Sequence, residues 1–417
     1  MTGPAPRDLP ALPHWLAEGP AARILSVLDT DGEEARAIGG AVRNWLLGAE
    51  PGDIDIATTA VPAEVVRRVT AAGFRAVPTG IEHGTVTVVA EGHGFEVTTL
   101  REDVQTDGRR AVVRFGRDWR ADAARRDFTV NAMSLTRSGV LSDFFGGWAD
   151  LEARRIRFIG DPRQRIREDY LRILRFFRFH ATYGAGPADP AALSACIDAR
   201  AGLAGLSRER IRTELLKLLA APAAADTLGL MSESGLAVPL LGGVALHRHV
   251  ARLAAVEQAL SLAVDPVLRL AALGVLVRED AARLKQRLAL SNEAFRRLDS
   301  IGHGWHDLDP AHGEPAAKAV LFAAGPRGYR DRALVAFARS GAPVTDAGWH
   351  RLASLPERWR APSLPVAGET FLRRGVPEGP ALGAAMARFR AAWVAAGFPL
   401  EAATVERLVA AAVAGDG

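Results

Sequence analysis

An α+β head followed by an all-helical remainder is the fold this sequence predicts. Three observations predict it. Short, alternating, strand-like runs separated by turns fill the stretch from about Arg23 to Asp150, and long runs with helical patterning follow from about Leu151. The 48 % hydrophobic and 24 % charged content is an ordinary globular mix. At about 100–200 residues per domain, 417 residues suggest two to four domains.

In the head, Ala35–Ile38 reads as a strand running into Gly39-Gly40. Asp53–Ala57 alternates polar and apolar residues and reads as a further strand. Thr85–Ala90 and Phe95–Leu100 flank Glu91-Gly92-His93-Gly94, a hairpin pattern. Pro62–Ala72 predicts a helix, with Pro62 near its start and Gly73 just past its end. Beyond residue 150, helices are expected over Asp169–His180, Arg208–Ala220 and Ala251–Leu262, and through the Ala-rich segment Ala381–Ala414. Pro187–Pro190, Gly242-Gly243, Gly302–His312 and Ala361–Gly368 read as connections.

Composition excludes several classes. Cys196 is the only cysteine, so an internal disulfide framework and a cysteine zinc cluster are ruled out, and a reducing cytoplasm is the expected setting. Met1–Pro20 lacks an apolar run of signal-peptide type. The most apolar stretch, Leu260–Val277, is interrupted by Asp265, Pro266 and Arg269, so no membrane span is expected. Net charge is +4, and Lys217, Lys285 and Lys318 are the only lysines among 52 basic residues. The arginine bias fits a GC-rich genome, and it also leaves open an electrostatic RNA surface. The Arg-dense run Arg154–Arg178 is where nucleic-acid or triphosphate contacts are expected.

The chemistry-bearing pattern begins with Gly39-Gly40-Ala41-Val42-Arg43-Asn44, a strand end, two glycines and a helix start. Glycines let backbone N–H groups approach an anion, and Arg43 adds a charged contact. Asp53-Ile54-Asp55-Ile56 follows, with both carboxylates expected on one strand face. Two adjacent carboxylates repel unless a cation lies between them, and Mg²⁺ takes such sites together with phosphate oxygens. Glu96 alternates correctly with its apolar neighbours and is the candidate third carboxylate. Arg125-Arg126-Asp127 offers guanidinium forks matched to phosphate, with a carboxylate to orient them. Asp169 and Arg172, three apart on a predicted helix, would share a face and present an acceptor and a donor, with Arg175 one step further. His306-Asp307, His247 and His249 lack metal-ligand spacing, and Phe176, Phe177, Phe179, Trp45 and Trp148 read as packing residues.

Glycine pair followed by Asp-x-Asp is the pattern of the nucleotidyltransferase superfamily. Gly39–Gly48 with Asp53–Thr58 resembles the opening motif of the class II tRNA nucleotidyltransferases and bacterial poly(A) polymerases. Phe95–Val104 with Thr106–Arg109 resembles the segment leading into that family's mobile loop. Arg125–Ala132 resembles its ribose and triphosphate motif, and Asp143–Gly147 with Asp150-Leu151 its head-to-neck connection. Arg165–Arg175 resembles its nucleotide-selecting helix, and Ser207–Ile211 the motif closing the neck. Six motifs in order cover roughly the first half of the chain, and beyond about Leu219 none is matched. Asn44 departs from the pattern, which usually has Asp there.

The resemblance implies a nucleotidyltransferase sheet in a head of residues 1–150, a nucleotide-selecting neck of 151–220 and an RNA-binding body and tail of 221–417. It implies template-independent addition of C and A to the tRNA 3′ end from CTP and ATP, with pyrophosphate released and Mg²⁺ as cofactor. The implied catalytic residues are Asp53, Asp55 and Glu96, the first two holding metal. The implied nucleotide-binding residues are Gly39, Gly40, Arg43, Arg125, Arg126, Asp127, Asn131, Asp169, Arg172 and Arg175. In the family the Asp169–Arg172 equivalent reads the base edge in place of a template. The alternatives are a poly(A) polymerase acting on other RNA, a specialised enzyme adding only A or only CC, and a non-catalytic RNA-binding protein of the same fold. Oligomeric state is open.

Overall fold

The computed structural model describes residues 10–107 and 110–415. Among these residues nine strands form in order: β1 (Ala35–Ile38), β2 (Asp55–Thr58), β3 (Arg75–Gly80), β4 (Thr85–Ala90), β5 (His93–Thr99), β6 (Arg101–Asp107), β7 (Arg110–Phe115), β8 (Ser134–Thr136) and β9 (Leu141–Ser142). Seven make one sheet in the order β3-β4-β5-β2-β1-β8-β9, and β6 pairs with β7 as a separate ribbon. Among the described residues only β2 and β5 pair in parallel. The remaining described elements are helical, so the α+β head with a helical remainder is observed.

Local chemistry accounts for the elements that matter. The β4–β5 hairpin closes through Glu91 and Gly92, both at positive φ, with Ala90 opposite His93. Two positive-φ residues give the turn whose twist matches paired strands. The Pro62–Ala71 helix starts on Pro62 and stops at Gly73 with φ 84°. Buried Val86, Val88, Phe95 and Val97 alternate along β4 and β5, as a sheet with one face in the core requires.

Register explains why one end of this sheet collects polar groups. Ile38, the last residue of β1, lies opposite Asp55 on β2 and opposite Ser134 on β8. The parallel pairing of Ile56 with Val97 sets Asp55 beside Glu96. The expected strand at 53–57 begins later, at Asp55: Gly52 adopts φ 66° and turns the chain just before it. Asp53 therefore reaches the site from a bend, and strand alternation is not what places it next to Asp55.

A second departure lies at Asp169. The helix expected over Asp169–His180 forms as Leu171–Tyr183, two residues later, and a separate helix, Pro162–Glu168, precedes it, so the Arg165–Arg175 segment is not one continuous helix. Asp169 sits between them with an extended backbone, φ −156° and ψ 108°, and its carboxylate accepts the Leu171 N–H at 3.0 Å. A short Asp side chain capping the next turn competes with helix continuation, which is why the break falls there without Pro or Gly. The Leu171–Tyr183 helix buries Phe176, Phe177 and Phe179; Phe176 and Phe179 meet Phe128 or Phe158 at centroid distances of 5.1–6.4 Å, and Phe177 packs on Phe176 at 5.3 Å. These phenylalanines are core, as expected.

The chain divides into two compact units, residues 1–227 with 233–239 and residues 228–232 with 240–417. The first holds the sheet and the helices that follow it as far as Thr227. The second is helical, and its helices Pro380–Ala395 and Ala402–Ala414 pack Phe389, Trp393 and Val409 with Phe371 in a satellite core. Among the described residues no helix is long and apolar enough to cross a membrane.

Candidate functional site

The polar end of the sheet opens into a cleft of about 670 Å³ in the first unit. Gly39, Gly40, Arg43, Asp53, Asp55, Arg126, Asp127, Asn131, Asp169, Arg172 and Arg175 all line it. A smaller cavity of about 250 Å³ shares Asp55 and Arg126 with it and adds Glu96, Asp122 and Arg125. The two cavities thus contain every candidate residue named from the sequence.

Gly39 has φ 68°, and a Cβ there would meet the Arg126 guanidinium at 3.2 Å. The positive φ favours glycine, and a side chain there would also press on the Arg126 guanidinium. The carboxylates of Asp53, Asp55 and Glu96 have no ion-pair or hydrogen-bond partner among the described residues. This contrasts with Asp122, Asp127, Asp150 and Glu168, each of which is paired. The Asp55 carboxyl is pushed up to about 6 by burial and by Glu96, with Arg126 pulling it down and Asp53 pushing it further up. Unpaired carboxylates packed this closely form a hard-oxygen donor set that a divalent cation neutralises. Among the described residues no three such groups are preformed as a metal cage. Mg²⁺ seldom needs one, since it takes one or two carboxylates and fills its shell with water and phosphate oxygens. The chemistry of these oxygen donors fits such a metal.

A polar network floors the cleft. Asp127, buried, accepts from Arg175 Nε at 2.6 Å, from Asn131 Nδ2 at 3.1 Å and from the Phe128 N–H at 2.9 Å. Burial raises its carboxyl, but Arg175 and these hydrogen bonds outweigh it and hold it below the usual carboxylate range. Asn131 Oδ1 accepts from Arg43 Nη1 at 2.5 Å, and Arg43 Nη2 donates to the Tyr183 hydroxyl at 2.7 Å. Arg43 also lies 4.0 Å over the Tyr183 ring. Burial lowers its pKa, with the neighbouring Tyr183 opposing.

Arg165 donates to the carbonyls of Arg125 and Arg126 at 2.5 and 2.7 Å, tying the Pro162–Glu168 helix to the arginine pair. Arg172 donates to Glu168 at 2.5 Å and to the Arg165 carbonyl at 2.7 Å. Asp169 pairs with Arg210 at 2.7 Å, from the Arg208–Ala220 helix. Asp169 and Arg172 therefore flank the same cleft without being a face-sharing helical pair: the break at 169–170 separates them. Within the Arg-dense run, Arg172, Arg175 and Arg178 reach the cleft. Arg155 and Arg157 instead neutralise fully buried Asp150, which also accepts from Thr129 at 2.6 Å.

Several cleft residues escaped the sequence reading. Asp122 pairs with Arg126 at 3.5 Å, three residues ahead of Arg125 and four ahead of Arg126, a spacing that was available as a signal. Arg178 falls at the end of the Arg-dense run where contacts were expected, whereas Lys217, and Arg210 within the Ser207–Ile211 motif, were given no site role because they reach the cleft only through the packing of the 208–220 helix. Gly108 and Arg109, part of the expected mobile-loop motif, lie outside the described residues. The His306–Asp307 pair is exposed at 3.6 Å.

A glycine turn, an unpaired carboxylate cluster at a sheet end and an arginine-lined cleft define a nucleotidyltransferase. Residues 35–157 match the family described as the Poly A polymerase head domain, and residues 189–246 the one described as the probable RNA and SrmB-binding site of polymerase A. The chain is 36 % identical over 380 residues to the mitochondrial CCA tRNA nucleotidyltransferase 1 of Mus musculus, covering 89 % of this chain and 85 % of that one. It is 34 % identical over 389 residues to the CCA-adding enzyme of Limosilactobacillus fermentum, covering 88 % and 90 %. The crystal structure of the Bacillus stearothermophilus CCA-adding enzyme in complex with CTP superposes with a TM-score of 0.72 at 32 % identity, over 90 % of this chain and 92 % of that one. The Thermotoga maritima CCA-adding enzyme complexed with tRNA shares the fold, with a TM-score of 0.64 at 19 % identity over 93 % of each chain. The chain belongs to the class II CCA-adding enzyme and poly(A) polymerase family.

Proposed function

We propose that this protein adds C and A nucleotides, without a template, to the 3′ end of tRNA, building or repairing its CCA terminus from CTP and ATP. The RNA 3′-hydroxyl attacks the α-phosphorus of the nucleotide and pyrophosphate leaves. The observation that carries the reading is the single cleft holding Asp53, Asp55, Arg126, Asp127, Asp169 and Arg172 together. Length-spanning similarity to CCA-adding enzymes supports tRNA as the acceptor over other RNA.

The roles divide as follows. Asp53 and Asp55 hold Mg²⁺, with Glu96 beside them. When bound, the metal lowers the charge repulsion between hydroxyl and triphosphate and stabilises the leaving pyrophosphate. Gly39 and Gly40 leave room for the triphosphate, and Arg125, Arg126 and Arg175 offer it guanidinium donors. Asp127 and Asn131 hold Arg175 and Arg43 in place and face the ribose. Asp169 accepts from the base and Arg172 donates to it, each braced by a neighbour, Arg210 and Glu168. The functional division is a head of 1–150, a neck of 151–220 and an RNA-binding body and tail of 221–417. A cytoplasmic setting suits a chain whose one cysteine is buried and free.

The test is labelled-nucleotide addition to tRNA lacking its CCA, compared with an unrelated RNA. Addition to the tRNA alone is the expected result. A long A tail on both RNAs would favour the poly(A) polymerase reading, and no addition to either would favour a non-catalytic RNA-binding protein.

A further inference from the structure

Asn44 departs from the usual pattern of the opening motif, and the structure gives its amide a use at both ends. Oδ1 accepts from Arg43 Nε at 3.2 Å and from Arg43 Nη2 at 3.0 Å. Nδ2 donates to the Glu50 carbonyl at 3.0 Å and to the Pro51 carbonyl at 3.4 Å. The orientation is fixed by chemistry. A guanidinium only donates and a carbonyl only accepts, so flipping the amide would set donor against donor and acceptor against acceptor. The two carbonyls belong to the turn that runs through Gly52, at φ 66°, into Asp53. Arg43 continues the chain of contacts inward to Asn131 and Asp127. Asp53 lies in a bend with no strand pairing of its own, so the Asn44 amide is a direct tie between its turn and the rigid floor of the cleft.

We propose that Asn44 is a positioning residue that clamps the Glu50–Gly52 turn to Arg43 and so fixes Asp53 for metal binding. A carboxylate at this position would keep the arginine contact and lose both donors to the turn. Asn supplies acceptor and donor together, and adds no negative charge beside Asp53 and Asp55. The inference rests on the assignment of Asp53 to the metal.

The test compares full-length Asn44→Ala and Asn44→Asp with the wild type. Hydrogen exchange of the metal-free protein reads the clamp directly. Both variants should exchange faster in the peptide spanning residues 48–54, with the rest of the first unit unchanged. The Mg²⁺ concentration for half-maximal nucleotide addition should rise about tenfold in Asn44→Ala, the size of one net hydrogen bond. Binding of tRNA and the choice among nucleotides should not change. Unaltered exchange in that peptide, or an unaltered Mg²⁺ requirement in Asn44→Ala, would overturn the proposal. A uniform rise in exchange across the unit would overturn it too, because it would make Asn44 a general stabiliser. Asp53→Ala serves as the separate control: if it keeps full activity the metal assignment fails, while the exchange data still judge the clamp.

Discussion

Asp127→Asn is the most informative single perturbation of the cleft floor. Asp127 is 8 % exposed and gathers two Arg175 nitrogens at 2.6 Å, the Asn131 amide at 3.1 Å and the Phe128 N–H at 2.9 Å. An asparagine keeps the shape and one accepting oxygen. Its amino group must then face a donor, and the charge that balances Arg175 is gone. Breaking a buried pair costs about 3–5 kcal/mol. Arg175 keeps 32 % of its side chain in solvent and has Glu214 at 3.9 Å, so roughly 2–3 kcal/mol is the expected loss after that discount. For a cooperative unit of this size the unfolding temperature should fall by about 5–10 °C. The KM for CTP and for ATP should rise together, because Arg175 loses its anchor. The pH dependence has a definite sign. The folded Asp127 carboxyl lies below its unfolded value, so its contribution is complete above about pH 4 and is lost as pH falls through the folded value. The stability gap between wild type and Asp127→Asn should therefore shrink on acidification below about pH 4. Urea unfolding across pH, with steady-state kinetics at pH 7, measures all of this. A variant within about 0.5 kcal/mol of wild type and with unchanged KM would refute the view of Asp127 as the hub of the floor.

Other predictions follow from the same geometry. The double variant Asp53→Ala, Asp55→Ala should lose nucleotide addition and keep tRNA binding. Its unfolding temperature at pH 7 should match or exceed that of wild type, since the Asp55 carboxyl, pushed up to about 6, is held ionised against its surroundings. Near-normal addition by this variant would remove the metal site. Asp169→Ala and Arg172→Ala should lose discrimination among the four nucleotides, each lost charged contact costing roughly 1.5–3 kcal/mol for the correct base; a folded Arg172→Ala enzyme with unaltered selectivity would reduce Arg172 to a brace for Glu168. Binding of tRNA should weaken by about a thousandfold between 50 and 200 mM salt if roughly six phosphates are contacted, and a flat titration would reject an electrostatic RNA surface.

Much of the head was legible because its signals are local. The glycine pair, the Pro62 helix start and the positive-φ pair at Glu91-Gly92 act within a few residues, and the structure follows them. Glu96 was readable from strand alternation, but its place beside Asp55 depends on the parallel β2–β5 register, which no local pattern encodes. Two misreadings share one cause, a short polar side chain or a glycine overriding periodicity. Gly52 turned Asp53 off the strand, and the Asp169 carboxylate, accepting the Leu171 N–H, left Asp169 outside the helix it was expected to begin. Arg210 and Lys217 were invisible because helix packing brings them to the cleft from about forty residues away. Asn44 was visible as an oddity, but its clamp required knowing that Glu50 and Pro51 fold back onto it.

In the proposed reaction this one cleft adds C and then A in a fixed order without a template. Purified protein with Mg²⁺ and a tRNA lacking its terminal CCA, given CTP alone, ATP alone, both or neither, tests it most directly by product length and sequence. Two added C residues are expected with CTP alone, a completed CCA with both nucleotides, and no further growth. Little or no addition is expected with ATP alone. Unlimited A addition with ATP alone, or a product indifferent to which nucleotide is supplied, would contradict it.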